Sequence, residues 1–287
     1  MAESPTHRFG QVIGEVLEAA VGPLLATFAK EHKLFLDKKG TRFCRAGQKV
    51  SWTDPYNNVH DLDFVLERGG GDKLLGHPVA FIETAWRRYT KHSRNKAQEI
   101  QGAILPLLET YRNDAPFVGA ILAGVFTEGA LTQLRSLGFS VVYVSFEDVV
   151  EAFHSVGIDA YFEEDTPDAQ VTAKLKAWGL LSAEKKRKGS RKVLEINTPQ
   201  MTAFLDRLKG AVSRRVAKIR IIPLHGSAVE LDTVHQAITF IERYDEATVR
   251  SPFVKYEVEV LYSNADHIRG QFAAKNDAIK FLESYKP

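Results

Sequence analysis

Residues 59–87 read VHDLDFVLERGGGDKLLGHPVAFIETAWR, and the fold turns on them. Val59 to Leu66 is a run of strand length, Arg68 to Gly76 a glycine-rich turn and Pro78 to Arg87 a second strand-like run, so the segment predicts an antiparallel hairpin. Side chains alternate along a strand, which puts Val79, Phe81, Glu83, Ala85 and Arg87 on one face and Ala80, Ile82, Thr84 and Trp86 on the other. Glu83 therefore sits mid-strand among apolar neighbours, where a carboxylate is costly unless a cation, a proton or a hydrogen-bond donor meets it. Asp61 and Asp63 share a face of the first strand in the same way. Two or three carboxylates converging on one sheet edge form the oxygen-rich ligand set that a hard divalent cation such as magnesium needs.

Upstream of the hairpin, Phe9, Val12, Ile13, Val16, Leu17, Ala20, Leu24 and Phe28 recur every three or four residues and predict an amphipathic helix over 7–32. Short apolar runs over 34–52 read as strands or loops. Downstream, Ser93 is placed to cap a helix over 94–111, followed by a buried strand over 117–126, a helix over 128–137, a strand over 140–145 and a helix over 146–156. This order predicts an α/β core over 1–165, a mixed sheet flanked by helices. A helix and a basic linker are expected over 166–194, and a smaller α+β accessory domain for DNA recognition or dimerisation over 195–287. No repeat is apparent.

The chain has 287 residues, 44% of them hydrophobic and only 11 prolines, which excludes disordered and collagen-like classes. Its apolar runs are shorter than a bilayer span, the first ten residues have no signal-peptide pattern, and Cys44 is the sole cysteine. The chain is therefore expected to be soluble and cytoplasmic, with no membrane partner and no thiolate metal site. Its net charge of +2 averages two opposed regions. Residues 145–170 carry eight acids and no Lys or Arg, whereas 183–220 carry twelve basic residues against Glu184, Glu195 and Asp206, an excess of nine. That asymmetry suits a polyanion. The run EKKRKGSRK, containing Lys185, Lys186 and Arg187, reads equally as a solvated linker, while Arg214 and Arg215 on the predicted helix beyond it tilt the patch toward phosphate.

The leading helix, Asp63 at a strand end, Glu83 twenty residues later and the helix–strand pair that follows together resemble the PD-(D/E)xK nuclease superfamily, the fold of most type II restriction endonucleases. The resemblance spans roughly residues 8–156. It implies that Asp63, Glu83 and the backbone carbonyl of Thr84 hold magnesium, which activates water and stabilises the pentavalent phosphate. The sequence departs from the pattern two residues after the Glu, where Ala85 replaces the family lysine. Arg87, Lys91 and Lys96 are candidates for its role; Lys96 is favoured, because related nucleases carry the lysine on the following helix. Arg87 stays protonated and serves only electrostatically.

The segment WRRYTKHSRNK, with Arg88, Lys91 and Arg94, forms a basic ridge beside this site and suits phosphate contacts. The expected function is that of a magnesium-dependent, restriction-type DNA endonuclease acting on double-stranded DNA as a homodimer. The alternative is a catalytically silent nuclease fold that binds DNA or protein. Other motifs carry less: Gly69-Gly70-Gly71 lacks the lysine and helix of a phosphate loop, and His225-Gly226-Ser227 lacks the first glycine of a nucleophile turn.

Overall fold

The structure is a computed structural model that describes residues 4–223, 227–247 and 253–286. Helix α1 (Pro5–Glu31) starts where the Ser4 hydroxyl accepts the His7 amide, and it buries the expected stripe, including Phe9, Ile13, Leu17 and Leu25. It is long and apolar enough to cross a membrane, but here half of its most apolar window is packed inside the protein. Then follow β1 (Phe35–Lys38), β2 (Val50–Thr53), β3 (Val59–Leu62), β4 (Phe64–Arg68) and β5 (His77–Arg87). After β5 come α2 (Ser93–Thr110), β6 (Phe117–Gly124), α3 (Glu128–Ser136), β7 (Ser140–Ser145), α4 (Phe146–His154), α5 (Asp168–Gly179), α6 (Ala183–Ile196) and α7 (Thr198–Val212).

The predicted hairpin exists: β4 and β5 pair antiparallel, with Phe64 opposite Ile82 and Val65 opposite Phe81. The first strand differs from expectation because the chain bends at Asp63. Beyond that bend β3 pairs with β2 as a separate two-stranded ribbon, while β4 enters a five-stranded sheet of order β1-β4-β5-β6-β7. The sheet is mixed, since β5, β6 and β7 run parallel and the other pairings are antiparallel. Helices α1, α4, α5 and α6 pack together on one face, and α2 with α3 on the other. A glycine is needed at 124, with φ +100°, because a Cβ there would lie 2.1 Å from the Arg87 carbonyl oxygen.

Two expectations are corrected downstream. The run EKKRKGSRK is no linker but the body of α6, opened by the Ser182 hydroxyl and packed through Gly189, Ser190 and Val193 against α1 and α4. A helix with three small or apolar residues on one face needs a surface to cover it, and that places α6 in the first unit. The division accordingly falls not near 194 but at 209/210: one unit comprises 1–110 and 116–209, the other 111–115 and 210–287.

The second unit contains β8 (Val216–Pro223), β9 (Val229–Leu231), α8 (Val234–Arg243), β10 (Tyr256–Tyr262), β11 (His267–Phe272) and α9 (Lys275–Glu283). Its antiparallel sheet has the order β11-β10-β8-β9, over a core that includes Ile219, Ile221, Ile241, Tyr256, Val258 and Leu282. Contrary to the sequence reading, this unit is a repeat: strand, strand, helix occurs twice. QAITFIERY (236–244) matches DAIKFLESY (277–285) at Ala, Ile, Phe, Glu and Tyr. The helix starts match too, since Thr233 and Ala274, forty-one residues apart as are Ala237 and Ala278, are the two N-caps. The strands share only their alternation, so the duplication hides until the topology shows it. Residues 224–226, which include His225 and Gly226 of the discounted triplet, lie outside the described residues.

Candidate active site

The site forms where β4 stops and β5 continues. Because the chain bends at Asp63, β4 provides no ladder partner for the amide of Thr84, and the Asp63 side chain takes that place. Its Oδ2 accepts the Thr84 amide and the Thr84 hydroxyl, each at 2.7 Å. In return the Asp63 amide donates to Glu83 Oε1 at 3.1 Å. Each carboxylate is thus fixed by main chain from the other strand, and neither depends on a mobile side chain for its position.

Glu83 is only 6% exposed, as its mid-strand position predicted. Burial, and next the negative charge of Asp63, push its carboxyl up to about 8, against a smaller opposing effect of Lys96. Glu18 on α1 belongs to the same acidic group, although sequence reasoning missed it. Its carboxyl is raised by burial and then by Asp63, and it adds to the rise at Glu83. Its signal in the sequence was a charged residue one position beyond the apolar stripe of a long helix, which alone indicates nothing. Asp61, by contrast, is not part of the site. It lies on the ribbon, where Lys49 Nζ (2.6 Å) and the Ser51 hydroxyl (2.7 Å) bind it.

Of the proposed cations, Lys96 and Arg87 do reach this edge. Both face Glu99 Oε2, at 3.3 and 3.7 Å, and both line a cleft of about 470 Å³ with Glu18, Thr84, Ala85 and Trp86. Lys96 is the one whose charge acts on Glu83. Ser93, expected to cap α2, instead sits inside its first turn with its hydroxyl donating to the Thr90 carbonyl.

The rest of the basic ridge is largely engaged by the acidic run. Arg88 donates to the Phe162 carbonyl at 2.8 Å, pairs with Glu163 at 3.0 Å and lies 3.9 Å over the Phe146 ring. Lys91 pairs with Glu164 at 2.7 Å, and Arg94 is exposed. These pairings join residues more than seventy positions apart, which no local pattern reveals. On α6, Lys185 and Arg187 are exposed, and Lys186 lies 5.7 Å from the Trp178 ring. Arg214 is a structural residue of the second unit: it binds Asp266 at 2.8 Å and the carbonyls of Asp114 and Ala115 at 2.6 and 2.9 Å, with 10% of its side chain exposed. Assigning it to phosphate contact is therefore corrected. Arg215 stays exposed, its amide donating to the Ser263 hydroxyl.

Among the described residues no group of three or more His, Cys, Asp or Glu side chains is arranged to hold a metal ion. The pair Asp63 and Glu83 has the donor chemistry that suits a hard cation: oxygen donors only, with the Glu83 carboxyl pushed up by burial and then by the charge of Asp63. A divalent cation would relieve the repulsion between the two carboxylates.

No protein-family model matches the chain. No curated protein matches it either. A crystal structure of a "Protein of Unknown Function AF1548" is similar over 65% of this chain and 97% of its own, with 14% identity and a TM-score of 0.29.

Proposed function

We propose that the first unit is a PD-(D/E)xK-type nuclease core and that the protein is a magnesium-dependent, restriction-type DNA endonuclease. The observation that carries this reading is the reciprocal latch of Asp63 and Glu83, a half-buried and a buried carboxyl side chain joined through main-chain amides, with Lys96 and Arg87 on the same edge. Asp63 and Glu83, with the Thr84 carbonyl, would hold the cation. When bound, magnesium supplies Lewis-acid stabilisation of phosphate charge and a more acidic water.

The chain's own residues supply the rest. Thr84 orients Asp63 through its amide and hydroxyl. Lys96 takes over from α2 the electrostatic duty that Ala85 cannot perform, and Glu99 holds Lys96 and Arg87 against the cleft. Exposed Arg94, Lys185, Arg187 and Arg215 are suited to phosphate contact outside the cleft.

The test is incubation with methylated and unmethylated plasmid and phage DNA in magnesium or manganese, followed by end mapping. Discrete fragments are expected. Asp63→Ala and Glu83→Ala should abolish them, and Lys96→Ala should slow cleavage by about 100-fold. Duplex binding without cleavage on any substrate would select instead a DNA-binding protein on a silent core, the reading that the alanine at 85 favours.

A further inference from the structure

The acidic run 145–170 and the basic ridge after β5 are separate features of the sequence, and the fold joins them at the rim of the cleft. Arg88 and Lys91 meet Glu163 and Glu164, two consecutive acids in the segment between α4 and α5. That segment is fastened by its backbone and its apolar side chains. Ala160 and Phe162 are buried, Lys174 donates to the Tyr161 carbonyl, and the Glu163 amide donates to the Thr166 hydroxyl at 2.7 Å. Phe162, Arg88 and Tyr89 line the same cleft as Thr84, Arg87 and Lys96.

The two sides of this contact differ in how firmly they are held. The Arg88 side chain is 12% exposed, its Nε donates to the Phe162 carbonyl at 2.8 Å, and its guanidinium lies 3.9 Å over the Phe146 ring. Its plane is therefore fixed whichever anion it meets, and Nη2 is left facing Glu163 Oε2 at 3.0 Å. The carboxylates stand in water, Glu163 with 49% and Glu164 with 73% of the side chain exposed. Ion pairs this exposed hold weakly, so a denser anion displaces the carboxylates without disturbing the backbone that carries them.

We infer that Arg88 and Lys91 form a phosphate subsite on the rim of the cleft, and that the carboxylates of Glu163 and Glu164 fill it until a DNA backbone takes their place. A fixed guanidinium fork suits phosphate oxygens, and Lys91 adds a point charge beside it. Arg88 follows Glu83 by five residues, four of them in β5, which is roughly 17 Å of extended chain or about five nucleotide rises along one strand. A strand with its scissile phosphate at the acidic pair therefore reaches the subsite. The stand-in carboxylates set a threshold: an isolated anion gains little over them, whereas a duplex also releases its condensed counterions on binding. The inference rests on the DNA reading above.

The experiment measures the affinity of the full chain for a labelled duplex in chelator, by fluorescence anisotropy across a salt series. Glu163→Gln/Glu164→Gln should bind about tenfold more tightly than wild type at low salt, with a salt slope steeper by about one to two, because Arg88 and Lys91 then neutralise phosphates without leaving two carboxylates to gather counterions. Asp165→Asn/Asp168→Asn makes the same change in charge at exposed acids of the same run and should tighten binding by less than about twofold. Lys91→Ala should cost about fivefold in the glutamine background and almost nothing in wild type. If the double glutamine variant does not fold, Glu164→Gln alone, which touches the exposed Lys91 pair, carries the test with about threefold tighter binding expected. Equal tightening in both double variants overturns the inference by assigning the effect to net charge. Unchanged or weaker binding in the glutamine variants overturns it by making the acids structural partners of the ridge, and both results leave the DNA reading standing. Failure of wild type and glutamine variants alike to bind duplex at low salt removes the DNA reading and this inference with it.

Discussion

Glu83 holds its proton to about pH 8 because burial, and secondarily Asp63, penalise its charge. In the unfolded chain the same group loses its proton near its ordinary value of 4.5. Between those values the folded state binds more protons than the unfolded state, so stability falls as pH rises through the window and levels off above it. Metal-free protein should therefore lose on the order of 5 kcal/mol from this group between about pH 4.5 and pH 8. Thermal melts in chelator over that range should show the decline in wild type and a flat contribution in Glu83→Gln. A decline that persists in the variant would assign it to another group. Magnesium held by Asp63 and Glu83, as proposed, would act in the opposite sense, and its affinity should then rise with pH until the carboxyl is fully ionised. On the proposed nuclease reading, the same residue bears on the alanine at 85. With Glu83 fixed by the Asp63 amide, the neighbouring cation need not come from the strand, and α2 provides Lys96.

At the scale of elements, the basic residues divide by what they hold. Arg214 anchors β8 to segment 111–115 and to Asp266, and stacks 4.4 Å from the Tyr262 ring. Arg214→Ala should lower unfolding free energy by about 2 kcal/mol in a denaturant titration and leave the salt slope of DNA binding unchanged; a reduced slope would return Arg214 to the phosphate contacts. Helix α6 is the opposite case, its cations on the outer face and its small residues inward. The hydrophobic period of α1 and the apolar runs of β5, β6 and β7 were legible because burial of a periodic face is a local property of sequence. The break at Asp63 was not, because it depends on whether β3 continues in the main sheet or leaves it for β2. Nor was the helicity of α6, since a run of lysines and arginines shows its inward face only through Gly189, Ser190 and Val193. At the site, the pair Asp63 and Glu83 could be read from strand position and the Lys96–Glu99 pair from its three-residue helical spacing, whereas Glu18 and the contact of Glu99 with Arg87 arise from packing between elements.

For the whole molecule, a cut through both strands of a duplex needs two acidic groups facing backbones of opposite polarity. Each chain carries one such group among its described residues, the latch of Asp63 and Glu83 in the first unit. The second unit, although internally duplicated, repeats no part of it: the matching segments 236–244 and 277–285 form α8 and α9, which pack on each other over the apolar core. On the proposed endonuclease reading, symmetric cleavage would use a second copy of the chain, related by a two-fold axis that coincides with the dyad of the DNA site. Light scattering on duplex should give a protein mass of about 64 kDa, twice the 32.1 kDa of one chain. Mixing wild type with Glu83→Ala should then yield nicked product from the mixed dimers, because each active copy addresses one strand. A single copy per duplex with nicks alone from wild type would replace the restriction reading by that of a single-strand nickase, leaving the acidic pair and its chemistry as they stand.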